Sequence, residues 1–240
     1  MIPNIIHYCW FGGNPLPPLA VKCIESWKTH CPDYEIKEWN EDNFDINMAR
    51  YSKEAAEVGK WAFVADVVRF YVIYNYGGIY LDIDVELLKP IDRFLDTRMF
   101  LGFESSNEIN TGQGFGAEKE FYLIKKMLDI YTDMPFINPD GSFNTTPSPK
   151  YTSKIMNAEG FVLNNTKQTI GNIDVYPTEY FCPKDWRTNE IAITSNTHTL
   201  HHFFASWWSE EEKQQLEANY RFERIAKRMR ANKMNNNTSK

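Results

Sequence analysis

The sequence predicts an α/β fold: one layered domain built around a mostly parallel central sheet. Three observations lead there. Short apolar runs of strand length alternate with stretches of helical spacing. Gly and Pro punctuate the boundaries between them, above all from Phe11 through Pro18 and at Gly77-Gly78. A chain of 240 residues, 42% hydrophobic and 15% aromatic, is large enough to bury one sizeable core.

Taken in order, residues 5–9 read as a short buried strand, followed by a Gly/Pro-rich turn. Residues 19–30 carry helical spacing, with Val21, Ile24 and Trp27 as apolar positions and Pro32 shortly past the end. Residues 34–39 alternate like a strand. A long helix is expected over 54–76, apolar from Trp61 onward and stopped by Gly77-Gly78. Strands follow at 79–85 and 99–103, then a loop over 104–116 and a helix over 118–131. The segment 135–149, rich in Pro, Asn, Ser and Thr, reads as a long surface loop and a candidate lid. Further strands are expected at 173–176 and 191–193, then a strand or turn at 197–202 and a terminal helix from Ser209.

Net charge is −6, which gives no global reason to expect nucleic-acid binding. The balance is uneven. Residues 219–240 hold seven basic side chains against Glu223 alone, so this tail is +6 and the remainder −12. The four cysteines lack C-x-x-C spacing and fit reduced thiols in a cytoplasm. Neither a signal peptide nor a membrane span is expected.

The most informative segment is Asp82-Ile83-Asp84. On a strand, two carboxylates two residues apart point to the same side. Like charges there are unfavourable unless something positive lies between them, and a divalent cation is the simplest such partner. Simple hydration at a strand edge is the other reading. Gly78, just before, would let a ligand or another backbone approach closely. Trp10 follows the first strand, where the crevice at the carboxyl ends of a parallel sheet receives ligands. It either stacks on a nucleobase, worth about 1–3 kcal/mol, or plugs the end of the core. Asp66 and Arg69 share a face of an otherwise apolar helix, and such burial favours a polar ligand over a merely structural ion pair. His198, His201 and His202 offer imidazoles that suit Mn²⁺ beside carboxylates, or else lie exposed on a turn. Glu104, Asn107, Asn110 and Gln113 populate a Gly-rich loop after a strand, a usual source of hydrogen bonds to sugar hydroxyls.

Four segments carry a resemblance. They are Ile2 through Gly13, with Tyr8-Cys9-Trp10-Phe11; Ser26-Trp27 with Pro32 and Trp39; Ala65-Asp66-Val67-Val68-Arg69 leading to Gly77-Gly78 and Asp82-Ile83-Asp84; and His201-His202-Phe203-Phe204 with Trp207. In this order the chain resembles the bacterial members of glycosyltransferase family 32, DXD-containing transferases of capsule and surface-polysaccharide loci. Ala65 departs from the Ser usual before that Asp. The resemblance implies a GT-A-type, Rossmann-like domain, a nucleotide-sugar donor (UDP rather than GDP), Mn²⁺ or Mg²⁺, and retention of anomeric configuration. It implies that Trp10 packs on the base and that Asp66 and Arg69 hold the donor hexose. Asp82 would lie near ribose and sugar, with Asp84 and His201 as metal ligands and Asp82 and His202 as weaker candidates. Tyr8, Gly78, Asn110 and Gln113 complete the expected nucleotide-sugar site, and Asp66, Asp82 and Asp84 the catalytic set. Attack on the leaving-group face, with the diphosphate oxygen as base, is the preferred route.

The expected organisation is a catalytic domain over 1–208, a basic amphipathic helix over 209–234, and a polar end over 235–240. The acceptor would be a glycan or lipid-linked oligosaccharide, with no nucleic-acid partner. Residues 221–233 could contact the inner face of a membrane peripherally. Two other classes compete. A haloacid-dehalogenase-like phosphatase could use the Asp82/Asp84 strand but would need a downstream Lys and a second acidic cluster. A non-catalytic sugar-binding module would not need these features together.

Overall fold

The computed structural model describes residues 1–204 together with Glu211, Gln214 and Tyr220. The chain runs β1 (Ile5–Cys9), α1 (Pro18–His30), β2 (Glu35–Trp39), α2 (Arg50–Glu57), α3 (Trp61–Tyr76), β3 (Gly78–Tyr80), β4 (Val85–Leu87) and β5 (Met99–Phe103). It continues with β6 (Ile109–Asn110), β7 (Phe115–Ala117), α4 (Tyr122–Thr132), α5 (Ser148–Ala158), β8 (Gln168–Ile170), β9 (Ile173–Tyr176), α6 (Thr178–Phe181) and β10 (Thr199–His201).

The central sheet has the order β2-β1-β3-β7-β5-β9-β8, with β6 on β5. β1, β2, β3, β5 and β9 point the same way, while β6, β7 and β8 oppose them, so the expected mostly parallel α/β sheet is present. Neighbouring strand residues feed opposite cores, as the two-residue pleat requires. Met99, Leu101 and Phe103 join Val64, Val67 and Phe70 of α3 and Leu123 and Tyr131 of α4 on one face. Ile79, Phe100 and Tyr8 join Cys23, Ile24 and Trp27 of α1 and Phe181 of α6 on the other. Trp27 also donates from Nε1 to the Val85 carbonyl at 2.7 Å, which ties α1 to β4.

Several expectations are corrected. The helix expected over 54–76 is two helices, broken around Gly59, where Lys60 N–H bonds to the Ala55 carbonyl at 2.9 Å. The strand expected over 79–85 is also two pieces. β3 ends at Tyr80, a turn carries Asp82 and Asp84, and β4 leaves the sheet to pair antiparallel with β10. The two carboxylates therefore sit where the chain changes partners. The loop expected over 104–116 contains β6 and β7, and the helix expected from residue 118 starts at Tyr122, after Glu120 takes φ of 58°. α5 was not expected, and residues 191–193 contribute only an isolated bridge, Lys184 to Ile191. Most of the expected C-terminal helix and polar end lies outside the described residues. Tyr220, which is described, packs edge-on against Trp186 with ring centroids 5.2 Å apart. No helix of the described residues is long and apolar enough to cross a membrane.

The segment 135–147 does lie at the surface, but it is pinned. Glu54 Oε2 accepts the Phe136 and Ile137 N–H groups at 2.8 and 2.9 Å, and Tyr51 donates its hydroxyl to the Asn144 carbonyl at 2.9 Å. Ile137 and Phe143 form a bridge across it, and the rings of Phe136 and Phe143 stack. The segment thus delivers Ser148, the first residue of α5, to a fixed place.

His7 on β1 locks the junction of α3 and β3. Its Nδ1 accepts from Trp39 Nε1 at 3.0 Å, so its Nε2 carries the proton donated to the Gly77 carbonyl at 2.9 Å. Burial holds the imidazole neutral and lowers its pKa to about 4, with the nearby Lys37 charge adding to this against the Gly77 bond. The unfolded chain takes up that proton near pH 6.5 and the folded chain only near 4, so His7 stabilises fully above 6.5 and less as pH falls through that window. Urea unfolding at pH 7 and pH 4.5 should show a His7-dependent loss of up to about 3 kcal/mol. His7→Gln, which cannot titrate, should show a correspondingly smaller loss.

Candidate functional site

α3 is apolar nearly all round because it is covered by the sheet, α2 and α4, and this buries its two charged residues. Asp66 is 8% and Arg69 5% exposed. Arg69 Nη2 lies 3.2 Å from Asp66 Oδ1 and 3.2 Å from Asp82 Oδ1, so one guanidinium joins the helix to the turn after β3. Its Nη1 donates to Ser148 Oγ at 3.2 Å, and its plane lies 5.0 Å from the centre of the Tyr80 ring. Burial pushes the Asp66 carboxyl up to about 6 despite Arg69, with Asp82 adding to the rise. Burial works against the Arg69 charge too, but Asp82 and Asp66 outweigh it and raise its pKa.

Asp82 is placed from behind by backbone. Its N–H donates to the Gly112 carbonyl at 2.8 Å, and its own carbonyl accepts from Val85 N–H at 3.0 Å. A Cβ on Gly112 would meet Asp82 Oδ2 at 1.9 Å and Asn110 Oδ1 at 3.3 Å, so only glycine fits beside this carboxylate. Asn110 Oδ1 accepts the Gly112 N–H at 2.6 Å, and Asn110 Nδ2 donates to Glu104 Oε2. Glu104 follows β5 directly, as Trp10 follows β1 and Asp82 follows β3 by two residues, so all three stand at the carboxyl ends of co-directional strands.

Asp84 turns to β10. Its Oδ1 lies 3.3 Å from His201 Nε2, and its Oδ2 accepts the Phe204 N–H at 2.7 Å. Burial alone would raise the Asp84 carboxyl, but the His201 charge and hydrogen bond bring it to about 2. Burial likewise disfavours the His201 imidazolium, yet Asp84 holds it well above the usual histidine range. Asp82, Asp84 and His201 offer ligand atoms all within 4.8 Å of one another. Two carboxylates and an imidazole are donors suited to Mn²⁺ or Mg²⁺, and His201 Nδ1 is buried with no hydrogen-bond partner, so the residues fit such a cation. His202 faces away: its Nε2 lies 2.9 Å from Glu86 Oε2, which also accepts from Lys22. His198 is buried against Phe94, with Nδ1 2.6 Å from the Asn196 carbonyl, and is likewise engaged elsewhere.

The remaining expected residues divide. Trp10 is half-buried at the mouth of the crevice, with Nε1 donating to the Asn14 carbonyl at 2.5 Å. Tyr8 is buried against Trp27 and gives its hydroxyl to Glu38 at 2.6 Å. Gly78, at φ of 99°, meets backbone rather than a ligand, since a Cβ there would lie 2.7 Å from the Ile5 carbonyl oxygen. Gln113 is fully buried and donates to the Phe103 carbonyl at 2.9 Å, bracing the end of β5. Asn107 is exposed. Ser148, Tyr80 and Gly112 were not anticipated at the site. Ser148 had a signal: Pro147 and Pro149 flank it, and Pro at the first helical positions marks a start.

A family described as a glycosyltransferase sugar-binding region containing a DXD motif matches residues 17–101, a segment that holds Asp66, Arg69, Asp82 and Asp84. The chain is similar to inositol phosphoceramide mannosyltransferase 3 of Schizosaccharomyces pombe, 30% identical over 131 residues, covering 51% of this chain and 35% of that protein. It is also similar to the initiation-specific alpha-1,6-mannosyltransferase of Candida albicans, 23% identical over 128 residues, covering 49% and 33%. It thus spans about a third of the length of these curated relatives. Among solved structures, a glycosyltransferase involved in glycosylation of the major capsid of PBCV-1 aligns over 90% of this chain and 100% of its own, at 16% identity and a TM-score of 0.47. The galactosyltransferase LgtC, solved with donor and acceptor sugar analogs, aligns over 90% and 95%, at 12% identity and a TM-score of 0.40.

Gly112→Ala should push the Asp82 carboxylate off Arg69. A loss of about 1–3 kcal/mol in thermal or denaturant unfolding is expected from the crowding. Titration of Mn²⁺ followed by thermal shift should show weaker binding than in the native chain.

Proposed function

We propose that the chain is a metal-assisted, retaining glycosyltransferase that moves a hexose from a nucleotide sugar, preferably a UDP-sugar, to a glycan acceptor. The observation that carries the reading is the meeting of the two D-x-D carboxylates with His201 on one side and the buried Asp66–Arg69 pair on the other. The matched family description and the glycosyltransferase names of the relatives support it. The mannosyltransferase names also make mannose a candidate sugar, so GDP-mannose belongs among the donors to be tested. A role in capsule or surface-polysaccharide synthesis, on a glycan or lipid-linked acceptor at the inner face of a membrane, is part of the same proposal. The basic residues 221–233 would supply the surface contact.

In this reading Trp10 stacks on the base at the mouth of the crevice, with Asn14 fixing its ring. Asp66 and Arg69 meet hexose hydroxyls, and Ser148 closes the pocket beside them. Asp82 reaches the ribose and sugar, held in place by Asn110 and Gly112. Asp84 and His201, with Asp82, would hold Mn²⁺ or Mg²⁺, which as a Lewis acid neutralises charge developing on the leaving diphosphate. Neither rival class is favoured. The carboxylates gather an arginine and a histidine rather than the lysine and second acidic cluster a dehalogenase-like phosphatase needs. A binding module leaves the Asp84–His201 pairing without a use.

Asp84→Asn keeps an oxygen for the Phe204 N–H but removes the anion, so the fold should survive. Mn²⁺-dependent turnover should fall on the order of 10³, about 4 kcal/mol of transition-state stabilisation. Near-normal turnover would rule the assignment out. Calorimetry separates the binding roles: Trp10→Ala should weaken UDP itself, whereas Asp66→Ala should weaken only the intact nucleotide sugar. Equal loss of UDP affinity in both would make Asp66 structural. Release of phosphate from an aryl phosphate, with no nucleotide sugar consumed, would favour the phosphatase.

A further inference from the structure

Four carboxylates border the site, and three are committed to cations or backbone. Asp66 and Asp82 each lie 3.2 Å from Arg69, and Asp84 is divided between His201 and the Phe204 amide. Glu104 differs. Its Oε2 takes a hydrogen bond from a neutral group, Asn110 Nδ2, and its Oε1 has no hydrogen-bond partner among the described residues. The residue is only partly buried. It is one side chain away from the centre, because the same Asn110 presents Oδ1 to the N–H of Gly112, whose carbonyl accepts the Asp82 N–H at 2.8 Å. Burial raises its carboxyl above the ordinary range against the His201 charge and the Asn110 bond, with Glu108 and Asp82 adding to the rise. A carboxylate fixed through one oxygen by a neutral amide and free at the other is the group best suited to take a proton.

We infer that Glu104 is the acceptor-side base of this site, its free oxygen receiving the proton of the hydroxyl that attacks the donor sugar. The inference rests on the transferase reading. The acceptor oxygen bonds to the anomeric carbon, the bond from that carbon to the diphosphate breaks with its electron pair leaving on the nucleotide, and the hydroxyl proton passes to Glu104. This gives the proton a destination on the protein, where the resemblance suggested only the departing diphosphate oxygen. Asn110 is then a positioning residue, holding Glu104 and the backbone beside Asp82 with one amide.

The test uses the full chain, Mn²⁺, and UDP-glucose, UDP-galactose and GDP-mannose as donors, with water as the acceptor and nucleotide release as the signal. Glu104→Gln preserves shape and the bond from Asn110. Its Mn²⁺–UDP thermal shift and donor KM should stay within about threefold of the native values, while hydrolytic kcat falls about tenfold or more. Azide has no proton to lose, so it should restore donor turnover in Glu104→Gln and yield a glycosyl azide. Glu104→Asp, which keeps a carboxylate, should recover part of the hydrolysis. Unchanged hydrolysis in Glu104→Gln, or a loss that azide does not restore, overturns the assignment alone. So does equal loss of the Mn²⁺–UDP shift, which would place Glu104 on the nucleotide side. A native chain that neither binds nor hydrolyses any of the three donors overturns the transferase reading and this assignment with it.

Discussion

The guanidinium of Arg69 is the constraint on which the site depends. A cation buried in an apolar helix carries a desolvation penalty of several kcal/mol, and it is tolerable only with carboxylates close by. Two are supplied, one from its own helix and one from the turn after β3, and the Tyr80 ring lies beneath. Each group needs the others. Without Arg69, Asp66 and Asp82 would be like charges in a partly dry pocket; without them, Arg69 would be an uncompensated buried charge. The arrangement is therefore stiff, and it joins α3, the D-x-D turn and, through Ser148, the start of α5.

The turn itself owes its place to a change of partners. Up to Tyr80 the chain pairs with β1 and β7; from Val85 it pairs with β10. Between these, backbone groups are satisfied singly, Asp82 by Gly112 and Val85 by Asp82, and the side chains are free to point to different neighbours. This is why Asp82 faces Arg69 while Asp84 faces His201. A continuous strand would have aimed both at one partner.

Much of this was legible in the sequence, and the misses have physical causes. β1 and β5 were read to the residue because each is a short apolar run bounded by turns. The burial of Asp66 and Arg69 followed from the apolar circumference of α3. The choice of His201 over His202 was available only in part: two-residue alternation sends neighbouring side chains to opposite sides, but that His201 ends β10 on the side of Asp84 depends on the register with β4. The break at the D-x-D motif was illegible, since the apolar alternation of Ile79, Leu81, Ile83 and Val85 runs unbroken across it and only pairing decides. Glu104 stood among polar loop residues of similar appearance, and only the fold separates it from Asn107, which points to solvent. α5 was hidden because its polar surface residues blurred the helical period.

The pinning of the segment 135–147 has a consequence for how this chain can vary. Phe136 and Ile137 are fixed by Glu54, Asn144 by Tyr51, and between them the chain closes on itself through Asn138 and Ser142. The free part is thus only a short tip around Asp140 and Gly141. Closure entropy grows with the logarithm of loop length, at roughly 0.6 kcal/mol for each doubling. Insertions at that tip would cost little, and they would leave Ser148 seated on Arg69. The rim of the crevice can therefore be lengthened or recut without disturbing the charges at its floor.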